Sequence, residues 1–207
     1  KGEGDKPAHP TTVLNLGISV RIDADYIPEE NQRLRMYKRI AGALDQATID
    51  DVRSELHDRY GAPPESVQNL LAAGELRLKC EQLGIAQLDR KRTQVELPNP
   101  NGNKKQPIKT FVEMLHIRFA TPEERGETSP AGSLSSFAAG GGSASGTTLA
   151  HAQVDPGVLM KLIARNAKRG AQFTPQGVFR WPLTSAKAED VIAETRTLLE
   201  SLEPAQP

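Results

Sequence analysis

Apolar residues recur every three to four positions through the stretch from Asp25 to Gly84, and every second position on either side of it. That contrast predicts helices inside the stretch and strands around it. In D-Y-I-P-E-E-N-Q-R-L-R-M-Y-K-R-I and the A-G-A-L that follows, Leu34, Tyr37, Ala41 and Leu44 fall three or four apart, and Met36 and Ile40 widen the stripe. Pro28 suits a first helical position, because its φ is fixed and it has no N–H to leave unpaired. A second helix follows, with Thr48 as N-cap and Asp51 three residues on, a capping-box-like start. Ile49, Val52, Leu56 and Tyr60 form its apolar face, and Gly61 stands where a left-handed residue would end it. After Pro63-Pro64, Val67, Leu70, Leu71, Gly74 and Leu78 make one stripe, and Ala73, Leu76, Cys80 and Leu83 make a second beside it. Two adjacent stripes predict a third helix buried over much of its girth.

Outside this unit the period is two. From Leu14 to Ile22 the chain alternates strictly, which predicts a half-buried strand. After Gly84, Ile85–Leu88 and Thr93–Leu97 are short strand candidates, and Phe111–Phe119 is another. Between them, P-N-P-N-G-N-K-K-Q-P (Pro98–Pro107) reads as a turn-rich loop. Residues 121–150 are rich in Ser and Gly and hold too few large apolar groups to offset the entropy of ordering, so a flexible insertion is expected there. Asp155-Pro156 then opens a helix whose core face is Val158, Leu159, Leu162 and Ile163, and Gly170 stops it. Gln172–Thr174 and Val178–Leu183 flank Pro175-Gln176-Gly177 as a hairpin, with Phe173, Phe179 and Trp181 supplying aromatic mass. A last helix begins near Ser185 and presents Val191, Ile192, Thr195, Leu198, Leu199 and Leu202. Helices early and antiparallel strands late predict an α+β fold: an N-terminal strand and three-helix unit, then a small, mainly antiparallel sheet with two further helices.

The chain's 207 residues suffice for one well-cored domain. Residues 1–12 read as a polar linker and 13–207 as a single domain, and the start at Lys1 suggests a segment of a longer protein. Lys plus Arg equals Asp plus Glu at 26 each, so no net field draws the chain to nucleic acid or an anionic membrane. A single cysteine, Cys80, precludes an internal disulfide and fits a reducing cytoplasm, where it reads as a small core hydrophobe. No apolar run approaches the ~18 residues of a membrane-spanning helix.

Candidate chemistry is sparse. His9, His57, His116 and His151 have no partner at metal-ligand spacing. Gly140–Gly146 lacks the following G-K-[ST] of a phosphate loop. Asp23, Asp25, Glu29 and Glu30 suit the positive end of a helix dipole without any catalytic role. Two surface clusters remain. Arg90, Lys91 and Arg92, with Lys104, Lys105 and Lys109 in the next loop, could form a basic edge for nucleic acid or simply protect a sheet edge. Glu55, Asp58 and Arg59 lie together at helical spacing, either as an exposed ion pair or as a polar contact for another protein.

Three runs carry a resemblance: D-Y-I-P-E-E-N-Q-R-L-R-M-Y-K-R-I-A, E-L-H-D-R-Y-G-A-P-P-E-S-V-Q-N-L-L and R-L-K-C-E-Q-L-G-I. They resemble the C-terminal domain of bacterial transcription-repair coupling factors (Mfd), densely from Leu16 to Ile85 and in element order beyond; the loop at 99–106 and the Ser/Gly stretch depart from that pattern. The resemblance implies a parent protein that is an ATP-driven DNA translocase of helicase type, acting in transcription-coupled nucleotide excision repair and engaging RNA polymerase, UvrA and double-stranded DNA. It implies ATP and Mg in motor domains upstream, to which residues 1–12 would link, and no cofactor, metal or catalytic residue in this segment. The segment itself would be a regulatory, autoinhibitory domain that docks on the parent's UvrB-like module and masks its UvrA-binding surface. The family's E-L-x-D-R-[FY]-G helix supplies polar docking contacts, which here points to Glu55, Asp58 and Arg59. The competing expectation is a nucleic-acid-binding accessory domain using the basic edge.

Overall fold

The computed structural model describes residues 12–97, 108–121, 124 and 154–203. The described elements are β1 (Val13–Asn15), α1 (Glu30–Ala41), α2 (Gln46–Tyr60), α3 (Glu65–Gln82), β2 (Ile85–Leu97), β3 (Ile108–Phe119), α4 (Pro156–Asn166), β4 (Gln172–Phe173), β5 (Val178–Pro182) and α5 (Ala188–Leu202), with a 3-10 turn at Ala167–Arg169 after α4. The strands form one sheet in the order β1-β2-β3-β5-β4. β1 runs parallel to β2, and every other pairing is antiparallel. This is the α+β architecture that the patterning predicts.

Two cores meet at α3. On the sheet side, Leu76, Cys80 and Leu83 pack with Leu88, Leu115, Ile117 and Phe179 and with the inward face of α5. On the other side, Val67, Leu71 and Leu78 pack with Met36, Ile40, Ile49, Val52 and Leu56 of α1 and α2. The two stripes of α3 therefore serve two cores, which is why so little of the helix is exposed. Gly74 marks the closest approach: a Cβ there would lie 3.0 Å from Ile40 Cγ2 and from Ile49 Cδ1. Burial pushes the Cys80 thiol up to about 12, in keeping with a packed, unreactive side chain. All six residues expected on the inner face of α5 are buried. The hairpin at Pro175–Gly177 and the Asp155-Pro156 helix start are also in place, with Asp155 accepting from the Gly157 N–H at 2.7 Å.

Several local expectations are corrected. The alternation from Leu14 to Ile22 yields a strand of only three residues, because Gly17 takes φ +62° and turns the chain away from β2. Leu16 and Ile22 are still buried, one in each core, so the period-two pattern records an extended strap rather than a ladder. Pro28 lies before α1, which begins at Glu30 behind an extended Glu29. The N-cap of α2 is Asp45, not Thr48: the Asp45 carboxylate accepts the Thr48 N–H and hydroxyl, both at 2.8 Å. Gly61 does have positive φ (+79°), but its ψ of −165° sends the chain out extended rather than into a left-handed turn. The two short strand candidates after Gly84 are one continuous strand, β2, with an irregularity between Ile85 and Gln87. α5 begins at Ala188 rather than at Ser185. Most of the expected linker and insertion, with His9 and His151, lies outside the described residues.

Candidate protein-docking surface

The apolar face of α2, Ile49, Val52 and Leu56, is fully buried, so the helix has no freedom to rotate about its axis. Its far end is fixed by Tyr26, whose hydroxyl lies 3.1 Å from the Leu56 carbonyl and 3.0 Å from that of Gly61. The Tyr26 and Tyr60 rings pack at 5.8 Å, and Tyr60 in turn donates to Gln32 of α1. Fixing one face fixes the other: Glu55, Asp58 and Arg59 are held at the surface in a defined arrangement.

These three residues do not act as one cluster. Glu55 is 24% exposed and forms ion pairs with Arg39 of α1 and with Arg59, the latter at 3.2 Å. The Arg39 hydrogen bond, helped by the charges of Arg39, Arg59 and Arg35, holds the Glu55 carboxyl below the usual carboxylate range against the opposing effect of burial. Asp58 faces elsewhere, into a groove of about 780 Å³ between α2, α3 and α5. Glu75 of α3 stands in that groove and binds Arg53 of α2 and, at 2.8 Å, Arg196 of α5. Asp58, His57 and Glu189 line the same groove. The surface thus has an ion-paired ridge (Arg39–Glu55–Arg59) and a groove beside it with Asp58 on its wall.

Glu55 carries a pH signature. A carboxyl whose folded pKa is depressed adds stability that is present above its unfolded value, about 4.3, and is lost as pH falls through the folded value. Arg39→Gln removes the largest cause of the depression. The wild-type chain is therefore expected to lose more stability than Arg39→Gln between about pH 5 and about pH 3. Urea midpoints measured across that range check this, and equal slopes for the two proteins would contradict it.

The basic edge looks different from its sequence reading. Arg90 is only 15% exposed and is engaged by Glu113 at 3.1 Å, with the carbonyls of Leu16 and Ala186 also within reach. Lys91, on the opposite face of β2, pairs with Asp89 at 2.9 Å. Arg92 stands 5.3 Å over the Phe111 ring, and Lys109 pairs with Glu96 at 3.5 Å. Lys104 and Lys105 lie outside the described residues. Among the described residues, no group of three or more His, Cys, Asp or Glu is placed to hold a metal ion, and no helix is long and apolar enough to cross a membrane.

Arg39, Arg53, Glu75 and Arg196 were missed by sequence reasoning. Their partners lie 16 to 121 residues away, and no spacing rule reaches that far.

Among the described residues, α3, α4 and α5 pack on a mixed five-stranded sheet, α1 and α2 pack on the far side of α3, and charged α2 is fixed at the surface; together these define the class, an α+β domain whose prominent surface chemistry is ion pairing. Residues 16–110 match the TRCF domain family. The chain is similar to the transcription-repair-coupling factor of Haemophilus influenzae, at 39% identity over 92 residues, covering 42% of this chain and 8% of that protein. It is similar to that of Escherichia coli at 32% identity over 109 residues, covering 53% of this chain and 8% of that protein. The chain thus corresponds to a small part of these relatives. Its fold also matches the crystal structure of the C-terminal domain of a transcription-repair coupling factor, with a TM-score of 0.58 at 15% identity, covering 96% of this chain and 98% of that one.

Proposed function

We propose that this domain is the autoinhibitory docking element of an ATP-driven translocase in transcription-coupled excision repair. It would dock on the UvrB-like module of the same protein and mask that module's UvrA-binding surface until RNA polymerase is engaged. The observation that supports this reading is the rigid presentation of α2: its buried face leaves Asp58 on a groove wall and Arg59, 58% exposed, on the adjoining ridge. A polar contact of this kind is specific and still weak enough to open, whereas a large apolar one would lock. Masking is then competition between a tethered partner at high effective concentration and a free one.

Calorimetric titration of this chain into the separately expressed UvrB-like module tests the proposal. Wild-type binding is expected. Asp58→Arg with Arg59→Glu is expected to weaken it by about tenfold or more, equivalent to about 1.4 kcal/mol, with thermal unfolding unchanged. Reversals that leave the affinity intact would remove α2 from the interface. A parallel titration with duplex DNA decides the competing reading, in which log affinity falls linearly with log salt.

A further inference from the structure

The face of the sheet opposite the α3 and α5 core carries a guanidinium that is unpaired among the described residues. Register places Asn15, Asp89, His116, Arg180 and Gln172 in one row across all five strands. Each position of the row between the edge strands is one residue removed from a core residue (Leu88, Ile117, Phe179), so the row looks outward.

Its members are not equally satisfied. Asp89 is held by Lys91 at 2.9 Å and by the Gln87 amide at 2.7 Å. His116 Nε2 lies 2.8 Å from the Thr93 hydroxyl. On the next row, Arg118 pairs with Glu124 at 2.9 Å. Arg180 is the exception. Its Nε is shielded from solvent with no partner, and its guanidinium has no hydrogen bond or ion pair among the described residues.

With Lys91 and Arg118 neutralised by Asp89 and Glu124, Arg180 is the one uncompensated charge of this cluster among the described residues. A polyanionic backbone would need several free cations. A single carboxylate needs one planar fork, which is what a guanidinium offers. We propose that Arg180 anchors a carboxylate-binding site on the outer face of the sheet, taking an Asp or Glu side chain from a segment of a partner protein. The site shares no residue with α2 and stands independently of the docking role proposed above.

His116 supplies a built-in reporter. Burial, then the positive charges of Arg180 and Lys91, hold its pKa below the ordinary histidine value, while Asp89 pulls the other way. A carboxylate seated on Arg180 cancels one of the lowering charges and raises the His116 pKa.

The test is a titration of the isotope-labelled chain with a blocked Gly-Glu-Gly peptide, its Gly-Gln-Gly counterpart, inorganic phosphate and a short DNA duplex. NMR follows the Arg180 Nε–H and the His116 ring. A saturable Arg180 shift and a raised His116 pKa with the Glu peptide, and neither with the Gln peptide, are expected. Arg180→Gln should abolish both effects. Arg180→Lys, which keeps the charge and loses the fork, should weaken binding about tenfold and keeps the test open if Arg180→Gln fails to fold. No saturable response to the Glu peptide at tens of millimolar, or an equal response to the Gln peptide, overturns the proposal. So does a tighter response to phosphate or DNA, which would reassign the site to nucleic acid.

Discussion

Phe179→Ala is expected to destabilise the domain by about 3–5 kcal/mol, the range for removing a fully buried phenylalanine. The ring is wholly shielded, lies 6.0 Å from the Trp181 ring, and sits on β5 where that strand pairs with Ile117 of β3. It is thus at the centre of the sheet-side core, and its loss leaves a cavity that β3 and the helices cannot both close. Urea denaturation should show a lower midpoint at an unchanged slope. Because α3 is a wall of both cores, Trp181 fluorescence and helical circular dichroism should lose signal together in wild type and mutant. A loss under about 1 kcal/mol, well short of the expected range, would show that the site collapses freely, and separated transitions would show that the two cores are independent.

Gly74→Val should be the most damaging small substitution in the helical unit. A Cβ alone reaches 3.0 Å from Ile40 Cγ2 and Ile49 Cδ1, so Gly74→Ala sets a helix-propensity gain of about 0.5–1 kcal/mol against crowding of two side-chain methyls. Those two effects nearly cancel. Valine adds two stiff γ-methyls at the crossing of α1, α2 and α3, and overpacking of that kind costs about 1–3 kcal/mol. Thermal unfolding of the pair should place Gly74→Val well below wild type and Gly74→Ala near it. A valine variant as stable as wild type would show that α1 and α2 can move outward at little cost.

Periodicity is legible in α3 and α5; it misplaces the face of α1, where Leu34 and Leu44 are exposed and Met36 and Ile40 are buried, and element ends and partnerships are poorly legible. The stripes of α3 and the six buried positions of α5 were readable because a side chain's face follows from its spacing alone. The strap at Leu16–Ile22 misled for the same reason. Alternating burial needs only an extended chain, and nothing in the pattern shows that Gly17 steers it off the sheet. Asp45 and Thr48 are both good N-caps by residue type, and the choice between them rests on where the preceding loop leaves the chain. At the candidate surface, the exposure of Arg59 and Asp58 follows from the helical period. The engagement of Glu55 by Arg39 and the splitting of Asp58 into a separate groove depend on how α1 and α3 cross α2. Arg90 to Arg92 show the limit most clearly. Three adjacent cations in sequence become, in a strand, one tied to Glu113, one pointing to the opposite face and one lying over an aromatic ring.

The shared wall at α3 also sets an order of events during synthesis. The partners of its helical side, α1 and α2, precede it in the chain, so that half of the domain is complete once Gln82 has left the ribosome. The partners of its other side include α5, which begins at Ala188. Residues 83 to 187 take about 5–20 s to add at about 5–20 residues per second, and for that interval Leu76 and Cys80 lack their final cover. The nascent chain therefore passes through a half-built stage with an apolar stripe open to water, and chaperone contact is most needed there.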